Sequence, residues 1–468
     1  MVNNLILVIL LIIILIFYAG QNFGGAFAAS FVYLTCAPLM VIGEQEINNS
    51  YPLTALLVVL TFISWLRRPE KRPRSYYLRL FAVSMGVVLI AYFIGFFLNG
   101  TTSLQTFAIA YAGEVNVILL VISLSMLLFR VEQQDVMKVM FRSILIFVIV
   151  NTAVSVLQKL DIVYAYRMMD RFYVSENRFK PLLVMISGGS YDRVSGTFFS
   201  PVVFGATLLM AVVLLTAWII RQNSRKIRWG AVTLIAVMTV GGILSFSKLF
   251  MLGVPLMMIY WAIYLLIFAK NRRQKLSNWA LMLIVFVIVY VGVYFALPKD
   301  MVNIRDYYYQ YFTNPLAALN SRYAGIEAPQ VAFINDLPNK EEGIVTGAFD
   351  YFKQHSIFGV GPVQVEQEFL GDSQVIMAAH HGGIVALAAY LYFYLYTYVQ
   401  AFRRRNLYNL SLIPVLAIGS LASVMLTMPS ILPFVAFIIR WGDYSGKLVV
   451  GEDGLIHDEG DLRLHMIK

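Results

Sequence analysis

Residues 281–297 read LMLIVFVIVYVGVYFAL, an uncharged run preceded by KNRRQK at 270–275 and followed by Pro298-Lys299-Asp300. A half-buried soluble helix carries polar residues on one face, and a core strand is far shorter than this. A run near 20 residues is what the hydrocarbon layer, about 30 Å thick, asks of a helix. Lipid offers the backbone no hydrogen bonds, so the run is expected to be helical. The pattern recurs along the chain, as LILVILLIIILIF at 5–17 and again at Ala231–Leu244. Over 468 residues, 59% are hydrophobic, 13% are charged and the mean hydropathy is +0.73. Soluble domains are roughly 45–50% apolar and about 25% charged, so the excess belongs to membrane spans. The fold class is all-α, a polytopic integral membrane protein.

Helices are expected near 3–18, 24–42, 51–66, 80–98, 114–129, 143–160, 201–220, 229–246, 249–269, 277–297, 382–401 and 410–427. A short Pro-bounded segment follows at 431–440, giving about 12–13 spans. Five short connections are basic: 67–79 (RRPEKRPRSYYLR), 130–142, 221–228, 270–275 and 403–405. Together they hold 20 of the 36 Lys and Arg residues. They fall at alternate connections, so all five lie on one side, which the positive-inside rule makes the cytoplasm. The net charge of +10 is therefore a matter of topology, and no nucleic-acid partner is expected. Segments 43–50, 100–113, 161–200 and 298–379 then face outward, as does the N-terminus. The first run lacks a basic flank and a cleavage site, so it reads as a retained helix. Residues 1–440 form the membrane domain, and the polar tail 441–468 is expected in the cytoplasm. Cys36, inside an apolar segment, reads as a buried, inert thiol.

Two outward segments are too long for plain connectors. Residues 161–200 and 298–379 are rich in Tyr, Phe, Asn and Gln, with scattered Arg such as Arg178. Rings stack on sugar faces, amides bind hydroxyls, and Arg forks match phosphate oxygens. Interfacial anchoring is the competing reading of the aromatics.

Arg193 precedes Val-Ser-Gly-Thr-Phe, and Ser200-Pro201 suits the cap and first position of a helix. It reads as a headgroup contact or as a fixed cation for a diphosphate. Lys248, in Ser245-Phe-Ser-Lys, is either a snorkelling loop lysine or a phosphate ligand. Arg322, followed by Tyr323, is either a solvated arginine or part of the site. Asp372 and Ser373 stand where a long helix opens; each is a candidate cap, and Asp372 is equally suited to orient or deprotonate a hydroxyl. His380 would lie about 80° round from Asp372 and two turns on, with His381 on the opposite face. There is no HExxH, no DxD and no cysteine pair, so neither a metal nor another cofactor is expected.

These elements resemble the O-antigen polymerase and ligase superfamily, the Wzy-type polymerases and WaaL-type ligases, across the whole architecture. The likeness is concentrated in 192–255 and 320–390. It rests on Arg193-Val-Ser-Gly-Thr-Phe with Pro201 and Gly205, and on Ser245-Phe-Ser-Lys248. It continues through Ser321-Arg322, Phe358-Gly-Val-Gly-Pro362, and Asp372-Ser373 ahead of Gly383. The ligases carry a His at the position of Asp372 and a Thr pair where this chain has Ala386-Leu387, so the likeness is to a polymerase. It implies a GT-C-like fold in the bacterial plasma (inner) membrane with a large periplasmic loop. It also implies metal-independent glycosyl transfer on undecaprenyl-diphosphate-linked oligosaccharides. Arg193, Arg322, Asp372 and His380 would be catalytic, and Lys248, Arg178, Tyr323 and His381 would bind diphosphate and glycan. The implied partners are a chain-length-regulating co-polymerase and a flippase. Two alternatives remain: an O-antigen ligase, and a lipid-linked oligosaccharide flippase or transporter, which would show charges within its spans.

Overall fold

A computed structural model describes residues 2–38, 40–42, 45–67, 75–100, 102–160, 194–198, 200–221, 229–268, 272–296, 352, 355–362, 373–423, 425–442, 448–450 and 456–458. Thirteen α-helices lie among them. They are α1 (Val2–Ala19), α2 (Phe23–Cys36), α3 (Ser50–Arg67), α4 (Tyr76–Asn99), α5 (Leu104–Phe129), α6 (Gln133–Leu160), α7 (Pro201–Arg221), α8 (Trp229–Leu244), α9 (Lys248–Phe268), α10 (Arg272–Ala296), α11 (Gln374–Arg403), α12 (Leu407–Ala422) and α13 (Leu432–Gly442). Two small antiparallel hairpins accompany them, β1 (Met40–Ile42) with β2 (Gln45–Ile47), and β3 (Leu448–Val450) with β4 (Ile456–Asp458).

Among the described residues, seven helices suffice by length and composition to cross a membrane, where 12–13 spans were expected: α4, α5, α6, α7, α9, α10 and α11; the apolar parts of α1, α2, α3, α8, α12 and α13 are shorter. The protein is therefore a multi-pass membrane protein. α7 is the hub; 94% of its apolar window is buried, against 11% for α10. The outward sides of α1, α4 and α10 present Leu5, Ile90, Ile288 and Phe295, as lipid-facing helices must.

Arginines at several helix ends come together at one end of the bundle. The Arg130 guanidinium bonds the Tyr18 hydroxyl (3.2 Å) and Ser64 and lies over the Phe23 ring. Arg440 donates to the carbonyls of Leu128 and Val131 at 3.1 and 3.3 Å. Arg404 donates to Gly442 O at 2.6 Å, Asn406 to Trp441 O at 3.0 Å. α12 thus leaves the basic end and α13 returns to it. α13, with 11 residues, is about 16 Å long and reaches only partway across a bilayer.

Several boundaries differ from the sequence expectation. α5 begins at Leu104 rather than near 114, because Ser103 caps it by accepting from Thr106 N–H; the expected outward segment 100–113 is largely helix. α6 likewise starts at Gln133 instead of 143. The expected loop 43–50 is closed by the β1–β2 hairpin. The last long helix starts at Gln374, where Asp372-Ser373 suggested it would open and eight residues before the expected span 382–401. Cys36 is half-buried, with the amide of Asn151 at 3.5 Å from its sulfur.

Candidate functional site

At the end opposite the arginines, segments far apart in sequence meet. Residues Val194–Phe198, part of the segment expected to face outward, are buried. Two amide side chains of α6 hold them. Gln158 Oε1 accepts from the N–H groups of Ser195 and Gly196, both at 3.1 Å, and its Nε2 donates to Gly196 O at 3.1 Å. Asn151 Oδ1 accepts from Thr197 N–H at 2.9 Å, and the Thr197 hydroxyl donates to Thr35 O at 2.6 Å. Irregular backbone inside a membrane protein needs such partners, since lipid supplies none. Gly196 turns with φ +57°, and a Cβ there would run into the Asn151 amide.

The segment leads into α7 as the sequence suggests. Ser200 Oγ accepts from Val202 N–H, and Pro201 opens the helix. One turn on, Gly205 lies directly against Ser245 and Ser247. Those serines form the elbow between α8 and α9. Ser245 Oγ donates to Gly242 O at 2.7 Å and accepts from Ser247 N–H at 3.2 Å. Between them buried Phe246 takes φ +49°, a left-handed conformation costing a bulky residue about 1–3 kcal/mol. Val194 N–H donates to Leu244 O at 3.1 Å, which ties the elbow to the clamped segment. Lys248 opens α9 and is exposed.

A second assembly surrounds His380 and His381. α11 breaks at Gly383, with φ +61° and ψ −156°. A helix so broken forfeits the bonds from Ile384 and Val385 N–H to the carbonyls of His380 and His381. The stretch Ser356–Gly361 replaces them. Ile384 N–H donates to Ser356 O at 2.8 Å and Val385 N–H to Ile357 O at 3.4 Å. Val360 and Gly361 N–H donate to the carbonyls of His380 and His381 at 3.0 and 2.8 Å. Asn99, ending α4, holds this stretch from its other side by donating to Gly359 O at 2.8 Å.

The break folds α11 back on itself. Gln374 Nε2 donates to the Tyr390 hydroxyl at 3.3 Å; in a straight helix these residues would be about 24 Å apart. Ser373 caps α11 and its hydroxyl donates to Ser420 O, while Tyr394 bonds the Ser420 hydroxyl. The N-terminus of α11 thus sits level with Tyr394, about 13 Å from Arg403 along the helix, deep in the bundle. Both histidine rings are buried, 5.5 Å apart between centroids, and His381 meets the Tyr92 ring edge-on at 5.5 Å. The ring nitrogens of His381 have no hydrogen-bond partner among the described residues.

The connection 423–431 touches both assemblies. Ser423 O and Leu426 N–H bond the backbone and side chain of Gln374 at 3.3 and 3.0 Å. Ser430 Oγ lies 2.8 Å from Thr207 Oγ1 on α7.

Of the expected site residues, Lys248, His380 and His381 are described; Arg178, Arg193, Arg322, Tyr323 and Asp372 lie outside the described residues. Asn99, Asn151, Gln158 and Gln374 escaped the sequence reading, although amides within apolar helices are themselves a signal. So did Glu114, which the longer α5 carries into the span. No protein-family model matches the chain, and no curated protein or solved structure matches it.

Proposed function

We propose that this protein is a metal-independent membrane glycosyltransferase, a Wzy-type polymerase. It would join undecaprenyl-diphosphate-linked oligosaccharide repeat units into an O-antigen, capsular polysaccharide or exopolysaccharide on the outer face of the bacterial plasma membrane. One observation supports this reading above others. Thr207 and Gln374, one from each of the two regions that carry the family resemblance, 192–255 and 320–390, both bond the single connection 423–431.

In this reading an acceptor hydroxyl attacks the anomeric carbon of the growing glycan. The bond from that carbon to the diphosphate breaks, and the diphosphate leaves with the electron pair. A diphosphate is a good leaving group, so the protein's task is to hold its charge and to align donor with acceptor. Arg193, Arg322 and Lys248 take the first role, with Arg178, Tyr323 and His381 binding the remaining diphosphate and glycan. Asp372 or His380 takes the acceptor's proton. A flippase would deliver the substrate and a co-polymerase would set its length.

Glycans from a deletion strain test the proposal. A polymerase mutant leaves single repeat units on the final acceptor. Long chains stranded on the lipid carrier would instead identify a ligase. Repeat units trapped on the cytoplasmic face would identify a flippase.

A further inference from the structure

Glu114 lies ten residues inside α5, about 15 Å along the axis from Leu104. It is half-buried and lines a small cavity with Phe81, Met85, Val88 and Leu89 of α4, Val117, Ile118 and Val121 of α5, Tyr390 of α11, Leu426 and Thr427. The room inside is about what one water molecule needs. Among the described residues its carboxyl group has no ion pair; the one salt bridge there joins Lys138 to Asp135. The titratable groups near it are the phenols of Tyr51 on α3, Tyr92 on α4 and Tyr390 on α11. On the other elements packed against α5, no cation among the described residues faces it: Arg440 of α13 bonds Leu128 and Val131 at and just past the far end of α5.

An isolated carboxylate at this depth is costly by several kcal/mol. Three remedies exist: a basic partner, a bound metal cation, or a proton. The first is absent among the described residues. The second needs an oxygen cage, six to eight ligands for calcium and a near-ideal octahedron for magnesium. This cavity offers hydroxyls only from Tyr390 and Thr427 beside seven apolar side chains and Leu426.

We infer that Glu114 and the cavity beside it form a proton-binding site within the membrane, its carboxyl carried in the acid form and bridged by one water. The inference does not rest on the proposed glycosyl transfer. The site would hold α4, α5 and α11 together without a buried charge, and it supplies the span interior with the one titratable acid found among the described span residues near mid-depth.

Dicyclohexylcarbodiimide, an apolar carbodiimide, tests this on the full chain in liposomes. A carboxylic acid adds across its C=N bond: the acid proton goes to one nitrogen and the carboxylate oxygen bonds the central carbon. The acyl group then migrates from oxygen to nitrogen, leaving a stable N-acylurea with no atom lost. At neutral pH, Glu114 should be labelled at least about tenfold faster than Asp135, whose carboxylate is paired with Lys138. A water-soluble carbodiimide should reverse that preference, and alkaline buffer should suppress the Glu114 label. Glu114→Gln removes the label, although the wild-type protein alone decides the matter. Labelling of Asp135 without Glu114 would overturn the inference. So would protection of Glu114 by sodium or potassium at constant pH, which would reveal a metal cation as the ligand.

Discussion

Arg322 and Arg193 carry the sharpest single-residue tests of the proposed activity. Arg322→Lys keeps the charge but loses the bidentate fork, so polymer should shorten or vanish while the protein still inserts. Arg193→Ala should likewise abolish polymer at equal expression; normal chain length in either variant removes that residue from the site. The clamps on Val194–Phe198 make a different prediction. Gln158→Leu strips the partners from two buried backbone N–H groups, each worth about 1–3 kcal/mol when orphaned. Melting of the detergent-purified variant should drop clearly, and a wild-type melting curve would mean that this clamp is not needed. The amides at 151 and 158 were visible in the sequence as polar residues in an apolar run. Their partners were not, because Thr197 and Gly196 lie 46 and 38 residues away, and pairing over such distances is set by packing.

At the level of elements, α11 departs most from its sequence pattern. The apolar run beginning near 382 does mark a span. Gly383 at its head reads as one small residue among several, and nothing local reveals that the chain reverses there. The reversal depends on Ser356–Gly361 supplying two donors and two acceptors to the opened helix. Gly383→Ala should therefore do double harm. Its φ of +61° with ψ of −156° lies where essentially only glycine sits, at about 1–3 kcal/mol for another residue, and its Cβ would strike the Ile357 backbone. We expect lower thermal stability and loss of activity in this variant; a wild-type melting curve would mean that the break is not needed. By contrast, the caps at Ser200 and Ser373 follow from local rules and stand as the sequence suggests, because capping involves only the next two or three residues.

For the whole molecule, the arginine-rich end is the expected cytoplasmic side. The chain contains a single cysteine, Cys36, so a Cys36→Ser background allows each end to be probed in turn. In intact cells, Ser103→Cys should react with a membrane-impermeant maleimide, while Gln134→Cys should react only after permeabilisation. The reverse pattern would invert the topology and move the proposed site away from its lipid-linked substrate.

The sequence by itself determined the membrane class and the seven helices long and apolar enough to cross a bilayer. Each of these follows from the exchange of one run between water and lipid, which is a local property of that run. Only the tertiary structure decided that Val194–Phe198 is buried and clamped, that Ser356–Gly361 completes a broken α11, and that Glu114 faces a water-sized cavity. The first two features satisfy backbone groups through partners as far as 260 residues apart. In a solvent that offers no hydrogen bonds, such groups are matched only when the whole bundle has closed.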